Sequence, residues 1–455
     1  MSPTSDRTIS DFVHSLGLDA YLVGGAVRDE LLGRTAKDHD FVVPGVGYEE
    51  LRAALSPHGR VEDLEVAGQQ VGLRLYARDH AVRARAPAGI EFAPPRTERS
   101  TGPGRHDFEI VASPDVTLEQ DMGRRDFTIN AIAKRLATGE LLDPFRGADD
   151  LTARVLRTVS PLSFREDPLR IVRGLRFVSE HDLEPDERTL AQMREEAASV
   201  ALVSGERIGG GLTADGMGEL SKLLLGARPA KALRLARDSG VLVELIPAYE
   251  PAIGFETGDG RQHLTLDEHH FAVVQAAADQ GASLAVRLAA LVHDLAKPTT
   301  PGDRHAEAGA LIAAELLRRF RYPTRLRERV ARIVGAHDLR VEDVDAVQAR
   351  RLLAHFGDEL ALELAAHKLA DVEGKRVPPS EREANRRLRE LLEQERTQPH
   401  RVADLAVDGG DLIELGFDEG PEIGAALDAL LDRVLEDPSL NLRDRLLEEA
   451  RRLRR

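Results

Sequence analysis

The chain has no cysteine and no tryptophan, and only 4% of its residues are aromatic. Without cysteine there is no disulfide framework, no thiolate-bound zinc and no thiol nucleophile. With few aromatics, the packing falls to Leu, Val, Ile and Ala, a mixture that favours helices. No stretch approaches the roughly 20 uncharged apolar residues of a membrane span. The N-terminal MSPTSDRTISDFVHSLGLDAYLV lacks a basic segment followed by a long apolar run, so no secretory signal is expected. These absences predict a cytoplasmic protein. Positive charge is in deficit too: the formal net charge is −16, which argues against wholesale coating of nucleic acid.

What is present is a chain of 455 residues, 42% apolar and 31% charged, too long for one core and sized for about three modules. The positive charge is unevenly placed. Six arginines between Arg154 and Arg176 face only Glu166 and Asp167, and seven between Leu316 and Arg332 face only Glu328. RNA therefore stays open as a partner, although the second run also reads as a solvated helix face.

The first 45 residues alternate in character. Ser10–Leu16 and Ala26–Leu32 read as helices, Tyr21–Val23 and Phe41–Val43 as strands, the latter closed by Pro44 and Gly45. Further strands are expected at Gln70–Tyr76 and Ile90–Phe92. Together they predict a small mixed sheet with helices up to about residue 145. Beyond Asp150 the pattern is helical, with breaks at Pro251–Gly260 and Gln398–His400.

Gly24–Gly25–Ala26–Val27–Arg28–Asp29 ends a strand and starts a helix. There, backbone N–H groups of Gly24 and Gly25 can approach phosphates and Arg28 can pair with a phosphate oxygen. Asp38 and Asp40 follow in KDHDFVV. On a strand, residues i and i+2 share a face, and two carboxylates there repel unless a cation sits between them. Magnesium is the expected ion, since polymerase sites hold attacking and leaving oxygens with a metal pair. Glu91 is the candidate third acid, with a solvent-facing strand residue as the alternative.

At this point the chain resembles the class II tRNA nucleotidyltransferases and bacterial poly(A) polymerases, most closely the bacterial CCA-adding enzymes. The resemblance rests on GGAVRDELLGRTAKDHDFVV, Arg96–Thr97–Glu98, PDVTLEQDMGRRDFTINAIA (114–133), DPFRGADDL (143–151) and FREDPLRIVRGLRF (164–177), in the family's order. It implies an α+β fold: a nucleotidyltransferase head (1–150), a helical neck (151–250), an HD domain (260–376) and a helical tail (400–455). It also implies that tRNA, CTP and ATP bind, with Arg125 on the triphosphate and Asp126 and Asn130 on ribose hydroxyls. Asp167 and Arg170, three apart on a helix, would present an acceptor and a donor to the edge of a base in place of a template. Arg173 and Arg176 continue that ridge toward the incoming nucleotide. The RNA 3′-hydroxyl then attacks the α-phosphate and pyrophosphate leaves.

A second constellation lies in the helical half: His269 in LDEHHFAVV, His293 and Asp294 in RLAALVHDLAKP, and Asp371 in HKLADVEGK. Imidazole and carboxylate together suit a divalent ion whose identity the sequence does not fix. The order H…HD…D resembles the HD phosphohydrolases, in which His305 and His337 fall at positions that often carry further histidines. Either His269 or His270 could be the ligand, with His269 favoured by its setting, and Lys297 could neutralise phosphate. Some CCA-adding enzymes carry such a domain, acting on cyclic phosphates or phosphate esters. The tail, Ala403–Leu447, resembles the C-terminal segment of bacterial tRNA nucleotidyltransferases; gripping tRNA and acting as a helical cap stand equal. Addition of CC only, A only or poly(A) stays open, because Pro94–Pro95 would stiffen a segment whose flexibility could govern the switch from C to A. An HD hydrolase with an inactive, RNA-recognising head is the alternative of another class. A uridylyltransferase-like regulator would share the D-x-D logic but not the later motifs.

Overall fold

Short apolar segments build the sheet of the head, and their alternation decides which side chains face the site. The computed structural model describes residues 8–35, 39–66, 68–100, 108–210, 217–258, 263–300, 302, 304–341 and 344–454. Asp38 lies outside the described residues. The strands are β1 (Tyr21–Val23), β2 (Asp40–Val42), β3 (Gly59–Val66), β4 (Gln69–Ala77), β5 (Ile90–Ala93), β6 (Arg96–Ser100), β7 (Phe108–Ala112), β8 (Ala133–Arg135) and β9 (Leu141–Leu142). Seven of them form one sheet in the order β3-β4-β5-β2-β1-β8-β9, while β6 and β7 pair separately.

In this sheet β2 runs antiparallel to β1 and parallel to β5. Phe41 and Phe92 are register partners and stack at 5.5 Å in a core with Leu51, Leu55, Leu73 and Leu75. Because strand side chains alternate between faces, burying Phe41 and Phe92 turns their neighbours Asp40 and Glu91 to the other face. The expected strands are present, Tyr21–Val23 as expected and the others shifted or extended by a residue or two. β3 and the β6–β7 pair were not anticipated. β3 reads GRVEDLEV, too charged for a core strand, and it lies at the sheet's edge, where charge is tolerated.

The RRDFTIN segment follows a short helix, Leu118–Gly123, closed at its start by Thr117 and Gln120 in a reciprocal cap. The helix Leu169–His181 buries Leu169, Ile171, Val172, Leu175, Phe177 and Val178 and ends at Asp182 with φ 56°. Its Gly174 lets the backbone approach Phe127 and Met193, since a Cβ there would lie 2.9 Å from each.

By contacts the chain divides into two compact units, residues 1–208 with 231–245 and residues 209–230 with 246–455. The second is built of helices, among them Leu266–Asp279, Leu284–Val292, His305–Arg319, Thr324–Gly335, Asp358–Glu373 and Pro421–Glu436. Its C-terminal portion packs Val407, Leu412, Phe417, Leu430, Val434 and Leu446 in a core of its own. Buried Arg350 ties that portion down by donating to the carbonyls of Leu435 (2.7 Å) and Glu436 (3.3 Å) at a helix C-terminus.

Candidate functional site

The register of β2 and β5 places Asp40 directly beside Glu91. The Glu91 carboxylate also accepts from Arg74. Both acids border a cleft of about 790 Å³ that also receives the turn at Gly24–Gly25, the RRDFTIN segment and the helix Leu169–His181. Eight arginines and four acids line it. In a chain of net charge −16, this local excess of cations is what a triphosphate requires.

Gly24 is a glycine for two reasons. Its φ is 69°, and a Cβ would lie 2.8 Å from Arg125 Nη1. The expected phosphate cradle is altered in detail, because the Gly24 N–H donates to the Ile132 carbonyl. Arg28 is buried and committed: Nη1 donates to Asn130 Oδ1 at 2.7 Å, and Nε and Nη2 donate to Asp29 Oδ1 at 3.0 and 2.8 Å. Arg28 thus orients Asn130, whose amide donates to Asp126 Oδ1 at 2.9 Å. Arg173 Nε donates to Asp126 Oδ2 at 2.8 Å, and Arg176 lies over the Phe177 ring at 4.3 Å. Arg125 donates to Asp121 and to the Asn130 carbonyl, both at 3.2 Å, and its buried Nε has no acceptor among the described residues.

Burial alone would raise the Asp126 carboxyl, but the Arg173 charge and the Asn130 hydrogen bond outweigh it and lower the pKa to about 2. The folded value lies below the unfolded one, so this contribution to stability is full above about pH 4 and fades as the pH falls toward 2. Asp126→Asn is expected to cost about 2 kcal/mol at pH 7. In denaturant melts the parent should lose this increment between pH 4 and 2 and the variant should not; parallel pH profiles would overturn the assignment.

Asp167 and Arg170 border the same cleft but do not share one helix as expected, because Asp167 is extended between the helices Ser163–Glu166 and Leu169–His181. Arg170 donates to Glu166 and Ser163 and to the Arg124 carbonyl. The Asp167 carboxylate is held by Arg207, with Nη1–Oδ1 3.2 Å and Nη2–Oδ2 2.7 Å. The sequence gives no sign of Arg207, which lies 40 residues from its partner on a four-residue helix, Gly205–Ile208.

In the second unit, all four expected metal ligands converge. His269 Nε2 lies 3.3 Å from His293 Nε2 and 3.1 Å from Asp371 Oδ1, and His293 Nε2 is 3.4 Å from Asp294 Oδ2. His305 and His337 close on the opposite oxygen, Asp294 Oδ1, at 3.3 and 3.0 Å. Asp294 is therefore common to two buried triads, His269–His293–Asp294 and Asp294–His305–His337. Each imidazole backs its Nδ1 onto a carbonyl: Gly374 for His269, Ala290 for His293, Gly302 for His305 and Val334 for His337. The four Nε2 atoms therefore point inward, the side from which imidazoles so anchored bind a metal. This donor set fits divalent ions.

Burial alone would raise Asp294, but its imidazole partners hold it well below the usual carboxylate range, and burial lowers His269. Hydrogen bonds to Asp294 and Asp338 lift His305 to about 10. The geometry places His269 in the cluster, whereas neither ring nitrogen of the buried His270 has a partner among the described residues. Lys297 lies 2.6 Å from Asp294 Oδ2, so its charge balances that carboxylate rather than standing open for phosphate. Lys375 does the same for Asp371 at 2.6 Å. His367, 5.0 Å from the His293 ring, was missed, although its i,i+4 spacing to Asp371 puts both on one helix face.

The first unit and the histidine cluster define a polymerase-type nucleotidyltransferase head joined to an HD domain, and comparisons with known proteins agree. The poly A polymerase head domain matches residues 20–157, the "Probable RNA and SrmB- binding site of polymerase A" residues 182–253 and the HD domain residues 266–406. The multifunctional CCA protein of Ralstonia nicotianae is 37% identical over 354 residues, covering 74% of this chain and 76% of that protein. That of Chromobacterium violaceum is 37% identical over 334 residues, covering 71% and 75%. Among solved structures, the Bacillus stearothermophilus CCA-adding enzyme in complex with CTP aligns over 98% of this chain and 99% of its own, with TM-score 0.68 and 26% identity. The Thermotoga maritima CCA-adding enzyme complexed with tRNA shares the fold at TM-score 0.58 and 21% identity, covering 98% and 93%. The chain belongs to the multifunctional CCA protein family. Among the described residues no helix is long and apolar enough to cross a membrane.

Proposed function

We propose that this chain adds or repairs the CCA end of tRNA in the cytoplasm, using CTP and ATP, and that its HD region hydrolyses phosphate esters at RNA ends. In this reading residues 1–150 are the head, 151–250 the neck, 260–376 the HD domain and 400–455 a tRNA-binding tail. The arginine-lined cleft carries it, because Asp40 and Glu91, the RRDFTIN network, Asp167 and the helix Leu169–His181 all reach that one space. The RNA 3′-hydroxyl oxygen bonds to the α-phosphorus, the bond from that phosphorus to its bridging oxygen breaks, pyrophosphate departs and the hydroxyl proton is released.

Asp38, Asp40 and Glu91 would hold magnesium, which supplies Lewis-acid charge at the attacking and leaving oxygens. Arg125 faces the triphosphate, while Gly24 and Gly25 allow its close approach. Arg28 and Arg173 keep Asn130 and Asp126 oriented toward the ribose, and Arg176 extends the positive wall. In the HD region His269, His293, Asp294 and Asp371 would hold a divalent ion, and His305 and His337 could hold a second with Asp294.

Incubation with tRNA lacking its CCA end should give extension by two with CTP, and by three with CTP and ATP together. A stop after two with both nucleotides would assign CC addition, long tails with ATP would assign poly(A) synthesis, and no extension would overturn the reading of the head.

A further inference from the structure

An ionised carboxylate has about four acceptor directions. On Asp167 three are taken: Oδ1 accepts from Leu169 N at 3.1 Å and from Arg207 Nη1, and Oδ2 accepts from Arg207 Nη2. The remaining direction belongs to Oδ2. Both side chains are about one quarter exposed and border the cleft, with relative exposures of 24% for Arg207 and 21% for Asp167. A planar guanidinium engaging both oxygens fixes the carboxylate's rotation, and no other side chain offers such a fork. We infer that Arg207 is a positioning and specificity-determining residue, holding Asp167 as a fixed acceptor with one lone pair left for an exocyclic amino group.

The chemistry follows from what the bases present. Cytosine N4 and adenine N6 are donors, whereas uracil O4 and guanine O6 are acceptors at the equivalent edge. A locked carboxylate accepts from the first pair and repels the second. Released, it can rotate away, and its repulsion of O4 or O6 is lost. The two-toothed ion pair is thus what turns an aspartate into a filter for amino-bearing bases, whichever of the two is being added. Arg170, with its donors on Ser163, Glu166 and the Arg124 carbonyl, does not contribute to this restraint.

The inference rests on nucleotidyl transfer by the head, and its test separates the two. Parent, Arg207→Ala and Arg207→Lys proteins are given tRNA lacking its CCA end with CTP, UTP, ATP or GTP singly, and tRNA ending in CC for the purine pair. The kcat/KM ratios C:U and A:G are then read. Arg207→Ala should lower both ratios at least tenfold, mainly by admitting UTP and GTP. Arg207→Lys, a single-point cation, should restore part of the selectivity. Equal losses for all four nucleotides, with the ratios unchanged, would show a merely structural role and overturn the inference. Should Arg207→Ala fail to fold, Arg207→Gln is read by the same ratios. A parent that incorporates no nucleotide overturns the function of the head instead.

Discussion

Asp40→Ala is expected to lower nucleotide incorporation by at least about 10³-fold while leaving the protein folded. Both halves of this expectation come from the strand. Asp40 is exposed at the start of β2, whereas the following Phe41 and Val42 are buried, so the substitution removes no core contact. What it removes is charge. Asp40 and Glu91 are register partners on adjacent parallel strands, and like charges directly opposite destabilise a sheet. Their juxtaposition is useful where a cation reconciles them, and Arg74 pairs with Glu91. Removing one carboxylate from a site that must neutralise a triphosphate and a leaving pyrophosphate should therefore reach kcat more than KM, since the arginines still bind nucleotide. The measurement is incorporation of CMP into tRNA lacking its CCA end, alongside circular dichroism and hydrolysis by the HD region as controls. Incorporation within tenfold of the parent would remove Asp40 from the site.

The sequence makes some of this legible and hides the rest, for physical reasons. Asp40 and Glu91 are each visible because Phe41–Val42–Val43 and Ile90–Glu91–Phe92 have strand-like patterns. Their adjacency is not visible, since parallel pairing across about 50 residues leaves no local trace. The Asp126–Asn130 pair is readable as a motif, but the network from Arg28 through Asn130 and Asp126 to Arg173 depends on tertiary folding. Arg207 is invisible for the same reason. In the HD region the spacing of His269, His293, Asp294 and Asp371 shows which residues could gather. It does not show which ring nitrogen points inward, and therefore not that His305 and His337 use the far oxygen of Asp294.

That shared carboxylate carries the other large effect. Asp294→Asn keeps the volume and hydrogen-bonding capacity of a fully buried side chain but removes the charge facing both triads. His269 and His293 would keep Asp371 beside them. Among the described residues His305 and His337 would keep only Asp338, whose oxygens lie 3.4 and 3.3 Å away and whose side chain is about half exposed. Divalent-metal content after purification should therefore fall by at least tenfold, the effect expected for losing a ligand when altering its supporting partners alone costs 10- to 100-fold. Hydrolysis of a 2′,3′-cyclic phosphate should fall to background, and CCA addition should persist, because its carboxylates lie in the other unit. His337→Ala distinguishes one ion from two. If both triads are filled, the variant retains about half the parent's metal, whereas a single ion held by His269, His293, Asp294 and Asp371 leaves the content unchanged. A parent that binds no divalent ion and hydrolyses no phosphate ester would leave the histidine cluster as a structural core, its four inward Nε2 atoms sharing protons with Asp294 and Asp371.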